Sequence, residues 1–141
     1  MMVVALDSNV FIAFLEQAQD TDFFKAAAEI MRATANGTLD VVYSSIVLGE
    51  VLRMPSGESL EPIKQFFSSL GGRDYPADRN VCSLAAELRR KHPALKLPDA
   101  LHLATAKIAQ ADKFITADKQ LLRFAKLEMS SVYLKDFHTN D

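Results

Sequence analysis

Val3-Val4-Ala5-Leu6-Asp7-Ser8-Asn9 decides how this chain reads. Four apolar residues end abruptly in an acid and two small polar residues. A run this short cannot span a membrane, which takes about 20 apolar residues. It reads as a buried strand that delivers Asp7 to the carboxyl edge of a sheet. In open α/β sheets that edge is where ligands bind. Ser8 or Asn9 is then placed to cap a helix running from Asn9 to Gln17.

The pattern outward from this strand alternates. Thr21 or Asp20 caps a second helix, with Phe23, Phe24, Ala27, Ile30 and Met31 at helical spacing and Asn36-Gly37 as its stop. Asp40-Val41-Val42-Tyr43-Ser44 is a second strand. Ser44 or Ser45 caps a helix from Ile46 to about Arg53, and Met54-Pro55-Ser56-Gly57 is a loop. A helix from Leu60 to Leu70 precedes a short edge strand, Arg73-Asp74-Tyr75. Asp78 caps a helix to Arg90, and a basic loop runs from Arg89 to Lys96. Leu97-Pro98-Asp99 opens an alanine-rich helix to Gln110, where proline suits the first turn. Lys113-Phe114-Ile115-Thr116 is a strand, Asp118 begins a helix to Ala125, Ser131 to Leu134 is a last strand, and a polar tail follows. Strands alternating with helices predict a three-layer α/β/α sandwich on a mostly parallel central sheet, with residues 1–141 forming one domain.

The bulk numbers narrow the function classes. The chain has 141 residues, 49% hydrophobic, enough for a sizeable core. A formal net charge of -2 provides no overall basic field for nucleic acid, although a local patch would suffice. Cys82 is the single cysteine, which excludes an intramolecular disulfide, and it falls in an apolar helix pattern that reads as core. The start, Met1-Met2-Val3, lacks the basic residues of a secretory signal, so an intracellular, cytoplasmic protein is expected.

Four acids fall where chain direction carries them toward one edge. Asp7 follows the first strand, Glu50 lies in the helix after the second, Asp99 is in the first turn of the alanine-rich helix, and Asp118 follows the strand ending at Thr116. Each alone has a plain reading as a cap, a dipole partner or, for Glu50, an exposed helix residue. Together they would form a dense negative pocket, which recruits a cation or raises its own pKa values. Oxygen ligands select hard ions such as Mg²⁺ or Mn²⁺, and such an ion suits phosphodiester hydrolysis.

Val4-Ala5-Leu6-Asp7-Ser8-Asn9, the Ser45 to Leu52 segment around Glu50, Leu97-Pro98-Asp99-Ala100-Leu101-His102-Leu103-Ala104-Thr105-Ala106, and Phe114-Ile115-Thr116-Ala117-Asp118 occur in this order. Together they resemble the PIN domains, particularly the VapC-type ribonuclease toxins of prokaryotic toxin–antitoxin pairs, from Val3 to about Leu134. The resemblance implies metal ligands at Asp7, Glu50, Asp99 and Asp118, supported by Ser8, Asn9 and Thr116. It further implies Mg²⁺ or Mn²⁺ as cofactor, single-stranded RNA as substrate, an antitoxin partner and a homodimer. The segment from Met54 to Leu70 is less standard, and would bear on the substrate groove and the antitoxin surface. A PIN nuclease of RNA processing, or a non-catalytic RNA- or protein-binding module, would present the same fold.

Other candidates carry weaker signals. Arg89, Arg90 and Lys96, with Arg53, are candidate phosphate contacts, and equally solvated helix ends. Lys119, Arg123 and Lys126 read the same way. His102, one turn after Asp99, reads as a helix histidine packed against a neighbour. The histidines lack zinc spacing. The phenylalanines follow helical spacing and read as core or dimer contact. A haloacid-dehalogenase-type phosphatase would need an acid where Asn9 stands. A receiver domain would need an acid pair near the first strand and a phosphoacceptor Asp after the middle strand; Ser44-Ser45 follows the second strand.

Overall fold

The computed structural model describes residues 1–16, 21–52 and 59–139. The expected helix break at 17–20 with the Asp20 cap, Arg53 and the loop at 54–57 lie outside the described residues. The elements in order are β1 (Val3–Leu6), α1 (Ser8–Leu15), α2 (Thr21–Ala35), β2 (Asp40–Ser44), α3 (Ile46–Leu52), α4 (Glu61–Leu70) and β3 (Arg73–Tyr75). Then come α5 (Arg79–Lys91), α6 (Leu97–Ile108), β4 (Lys113–Thr116), α7 (Lys119–Glu128) and β5 (Ser131–Tyr133), followed by a 3-10 turn, Leu134–Asp136.

The five strands form one sheet in the order β3-β2-β1-β4-β5, and every pairing is parallel. The chain fills the β2 side of β1 first, then crosses to place β4 on its other side. The strand order therefore reverses between β1 and β4. That reversal opens a crevice outside the carboxyl ends of the two strands. Leu6 is in register with Ile115, so Asp7 and Thr116 are both the next residue beyond that pair.

Period-two alternation splits the core into two layers. Val4, Leu6, Val41, Tyr43 and Ile115 face a cluster with α1, α2 and α4, where Phe11 and Phe67 meet at 5.1 Å between ring centroids. Ala5, Val42 and Phe114 face the opposite cluster with α5, α6 and α7. Ala5 and the fully buried Ala100 and Ala104 are small, which lets α6 lie close to the sheet. The result is the expected α/β/α sandwich, with the sheet wholly rather than mostly parallel. Among the described residues no helix is long and apolar enough to cross a membrane.

Three local readings change. Asp7, not Ser8 or Asn9, caps α1, because the helix begins one residue early and the Asp7 side chain accepts from the Val10 amide. Cys82 is exposed, not core. The buried stripe of α5 is Val81, Ala85 and Leu88, which turns position 82 outward. The basic loop begins later, because α5 continues to Lys91 and Arg89 spends its Nε donor on the Leu95 carbonyl at 3.2 Å. The polar tail also contributes an apolar anchor, with Phe137 buried.

Candidate functional site

Asp7 lies at the carboxyl end of β1, at the strand-order reversal, with 1% of its surface exposed. An ionised carboxylate in that position needs donors. Thr116 Oγ1 donates to its Oδ2 at 2.5 Å, the Val10 amide donates to Oδ1 at 3.3 Å, and Asn9 Nδ2 stands 3.5 Å from Oδ2. Burial nevertheless pushes its carboxyl up to about 6, against the lowering effect of Thr116, His102 and Val10, and with a further push from the charge of Asp99. Ser8 is also buried beside it in sequence.

Asp99 reaches the same edge from the first turn of α6. It is partly buried, and its carboxyl is raised by burial first, then by the charge of Asp118, with Glu50 adding to the push. His102 and Lys96 oppose it. Asp118 caps α7, its Oδ1 accepting from the Gln120 and Leu121 amides at 2.8 and 3.2 Å. Its own amide donates to Thr116 Oγ1 at 3.0 Å, so one threonine hydroxyl ties Asp7 to Asp118.

Glu50 comes from α3 and is half-buried rather than plainly exposed. His102 Nε2 stands 2.7 Å from its Oε1. A carboxylate only accepts, so the ring donates through Nε2–H. Its Nδ1 is buried with no hydrogen-bond partner among the described residues. The packed histidine expected from the sequence is thus also a partner of one of the four acids. Its i, i+3 spacing from Asp99 put both on one face of α6 and was the available signal.

All four acids therefore act on one region through bonds or mutual charge. As the side chains lie, no three His, Cys, Asp or Glu groups among the described residues form a metal-holding array. In this arrangement Glu50 bonds His102, Asp118 its helix amides, and Asp7 Thr116. The chemistry of the set still fits a hard cation. All four donors are carboxylates, and two of them are raised by burial and by neighbouring negative charge.

The cationic candidates divide. Lys96 immediately precedes α6 and acts electrostatically on Asp99. Arg89 and Arg90 lie in the last turn of α5, and the two residues after them, Lys91 and His92, both bond Glu128 at 2.8 Å. Glu128 is the last residue of α7, at the opposite end from Asp118. Lys91 and His92 thus reach the end of α7 opposite Asp118, while Arg89 lies against the Leu95 carbonyl, two residues before α6. Lys119, Arg123 and Lys126 are exposed along α7.

The sequence matches the family model described as "PIN domain" over residues 4–127. This chain belongs to the PIN domain family. No curated protein matches it in sequence. Solved structures share the PIN fold at low identity. A toxin-antitoxin complex from Klebsiella pneumoniae is 21% identical, with a TM-score of 0.61, covering 83% of this chain and 88% of that one. VapBC2 from Rickettsia felis, bound to a DNA fragment from its promoter, is 18% identical with a TM-score of 0.66, covering 94% and 98%. FitAcB from Neisseria gonorrhoeae is 18% identical with a TM-score of 0.65, covering 95% and 99%.

Proposed function

We propose that this PIN domain is a divalent-metal-dependent endoribonuclease of the VapC type, acting on single-stranded RNA as the toxin of a toxin–antitoxin pair. The observation that carries the reading is the gathering of acids at the crevice where a parallel sheet binds ligands: buried Asp7 ends β1 and is tied through Thr116 to Asp118, and Asp99 feels the charges of Asp118 and Glu50, an electrostatic strain that also raises its carboxyl. A cation relieves that strain.

Asp7, Glu50, Asp99 and Asp118 would hold Mg²⁺ or Mn²⁺. Bound there, the ion would supply activation of water for attack on phosphorus and neutralisation of the leaving oxygen. The protein's own groups have separate tasks. Thr116 and Asn9 fix the Asp7 carboxylate, the buried Ser8 follows it in the chain, and the Asp118 amide locks the Thr116 hydroxyl. Lys96 would meet a phosphate next to the scissile one. Arg90 would meet the RNA backbone beyond the cut, Arg89 is engaged by the Leu95 carbonyl, and Arg53 is a further candidate by position in sequence.

One similar solved structure is a toxin-antitoxin complex, which supports an antitoxin as partner. A groove of about 420 Å³ between α1, α2 and α4, lined by Phe14, Ala28, Met31, Ala35, Phe66 and Leu70, has the apolar character an antitoxin helix would cover. A homodimer in the cytoplasm completes the reading.

Incubation of purified protein with mixed single-stranded RNA tests it. Cutting is expected with Mn²⁺ or Mg²⁺, and not with EDTA or in Asp7→Asn. Cutting that persists in EDTA and in the variant would refute the proposal.

A further inference from the structure

His102 projects from α6, the helix whose Ala100 and Ala104 are fully buried, and it is itself 2% exposed. Its ring is held in place by packing. Glu50, by contrast, is a long side chain on a seven-residue helix, with 32% of that side chain exposed. A carboxylate on three rotatable bonds disperses its charge over many positions unless a neighbour fixes it. The 2.7 Å bond from the His102 ring to Oε1 does so. The other ring nitrogen makes no hydrogen bond among the described residues, so the bond to Glu50 is the polar contact that orients this ring. Asp99 lies one turn earlier on α6, and His102 acts electrostatically on both Asp99 and Asp7. A buried imidazole thus stands among three of the four acids.

We propose that His102 is the positioning residue for Glu50: it holds one carboxylate oxygen through Nε2–H and so fixes where the other oxygen meets a cation. This rests on the reading of Glu50 as a cation ligand. Ligating carboxylates are themselves held by hydrogen bonds, and losing such a partner weakens metal affinity about 10- to 100-fold. His102 touches neither substrate nor ion; it acts through Glu50.

The test is Mn²⁺ binding by calorimetry on folded protein, with no RNA present. His102→Leu keeps the bulk and removes the donor, and its affinity is expected to fall about tenfold or more. His102→Gln, which returns an N–H near the Nε2 position, should recover most of that loss. In a Glu50→Gln background, His102→Leu should add almost nothing, because the side chain it acts through is already altered. Should His102→Leu fail to fold, the unmodified protein provides the same answer. Nitrogen-15 spectra on adding Mg²⁺ should move the His102 ring resonance and leave that of exposed His138 in place. Parental affinity in His102→Leu, an equal further loss in the Glu50→Gln background, or an unmoved His102 resonance would overturn the proposal. If Asp7→Asn abolishes binding while His102→Leu does not, only this inference falls. If the parent binds no Mn²⁺, the metal-centre reading falls with it.

Discussion

The Thr116 hydroxyl donates to the buried Asp7 carboxylate at 2.5 Å, across the point where the strand order of the sheet reverses. The same oxygen accepts the Asp118 amide. Two acids from opposite ends of the sequence are thereby tied through one side chain at the end of β4.

Removing that hydroxyl should be felt most when Asp7 is charged. Thr116→Val is expected to lose about 1 to 3 kcal/mol at pH 8, the usual worth of a hydrogen bond to a charged group. The loss should shrink below pH 6, where Asp7 becomes protonated. Thr116→Ser should behave as the parent. Urea denaturation at the two pH values, in EDTA, checks this.

Asp7 itself weakens the metal-free fold. Its folded-state pKa is raised to about 6, so the folded protein binds a proton more tightly than the unfolded chain. Stability then falls as pH rises from about 4 to 6, and the full penalty holds above that. Asp7→Asn removes the charge and keeps a capping oxygen. It should therefore be more stable than the parent at pH 8 in EDTA, by about 3 kcal/mol, with the difference vanishing near pH 4. The same variant should be inactive. Thermal melts beside RNA cleavage would show this opposition between stability and activity.

Glu128 has the opposite sign. Burial alone would raise it, but Lys91, Lys107 and His92 outweigh that and hold it at about 2. Its stabilisation is present above the ordinary glutamate pKa and is lost as pH falls from about 4.5 toward 2. Glu128→Gln should cost about 1 to 2 kcal/mol at pH 7, discounted because Lys91 is well exposed, and little at pH 2.5. Its RNA cleavage at 25 °C should match the parent, since Glu128 ends α7 far from Asp118. Denaturation curves across this pH range measure the loss.

The cations should separate by salt dependence. Lys96→Ala should weaken RNA binding and flatten the dependence of log K on log salt by about 0.7, the worth of one single-strand phosphate contact. Arg89→Ala should instead lower stability, since its Nε is used on the Leu95 carbonyl, and should leave that slope nearly unchanged. Filter binding with an Asp7→Asn background, across several salt concentrations, distinguishes the two.

Much of this was legible because apolar periodicity survives in short elements. Val3 to Leu6 and Lys113 to Thr116 read as buried strands, and each ends in the polar residues that now lie side by side. Asp78 and Asp118 were readable as caps because the amides they accept from lie two or three residues on. What failed was rotational phase and reach. Cys82 sits one position off the buried stripe of α5, and a one-residue error on a helix turns a side chain by about 100°. The bond between Glu50 and His102 spans 52 positions, and no local pattern encodes such a pair.

The most direct measurement is anomalous scattering from crystals soaked in Mn²⁺. A manganese peak is expected at the carboxyl end of β1, with Asp7 and Asp99 oxygens about 2.0 to 2.2 Å away and the Glu50 and Asp118 carboxylates turned toward it. A well-ordered soaked crystal with no peak there, or with manganese bound only elsewhere, would contradict the claim that these four acids form a metal centre.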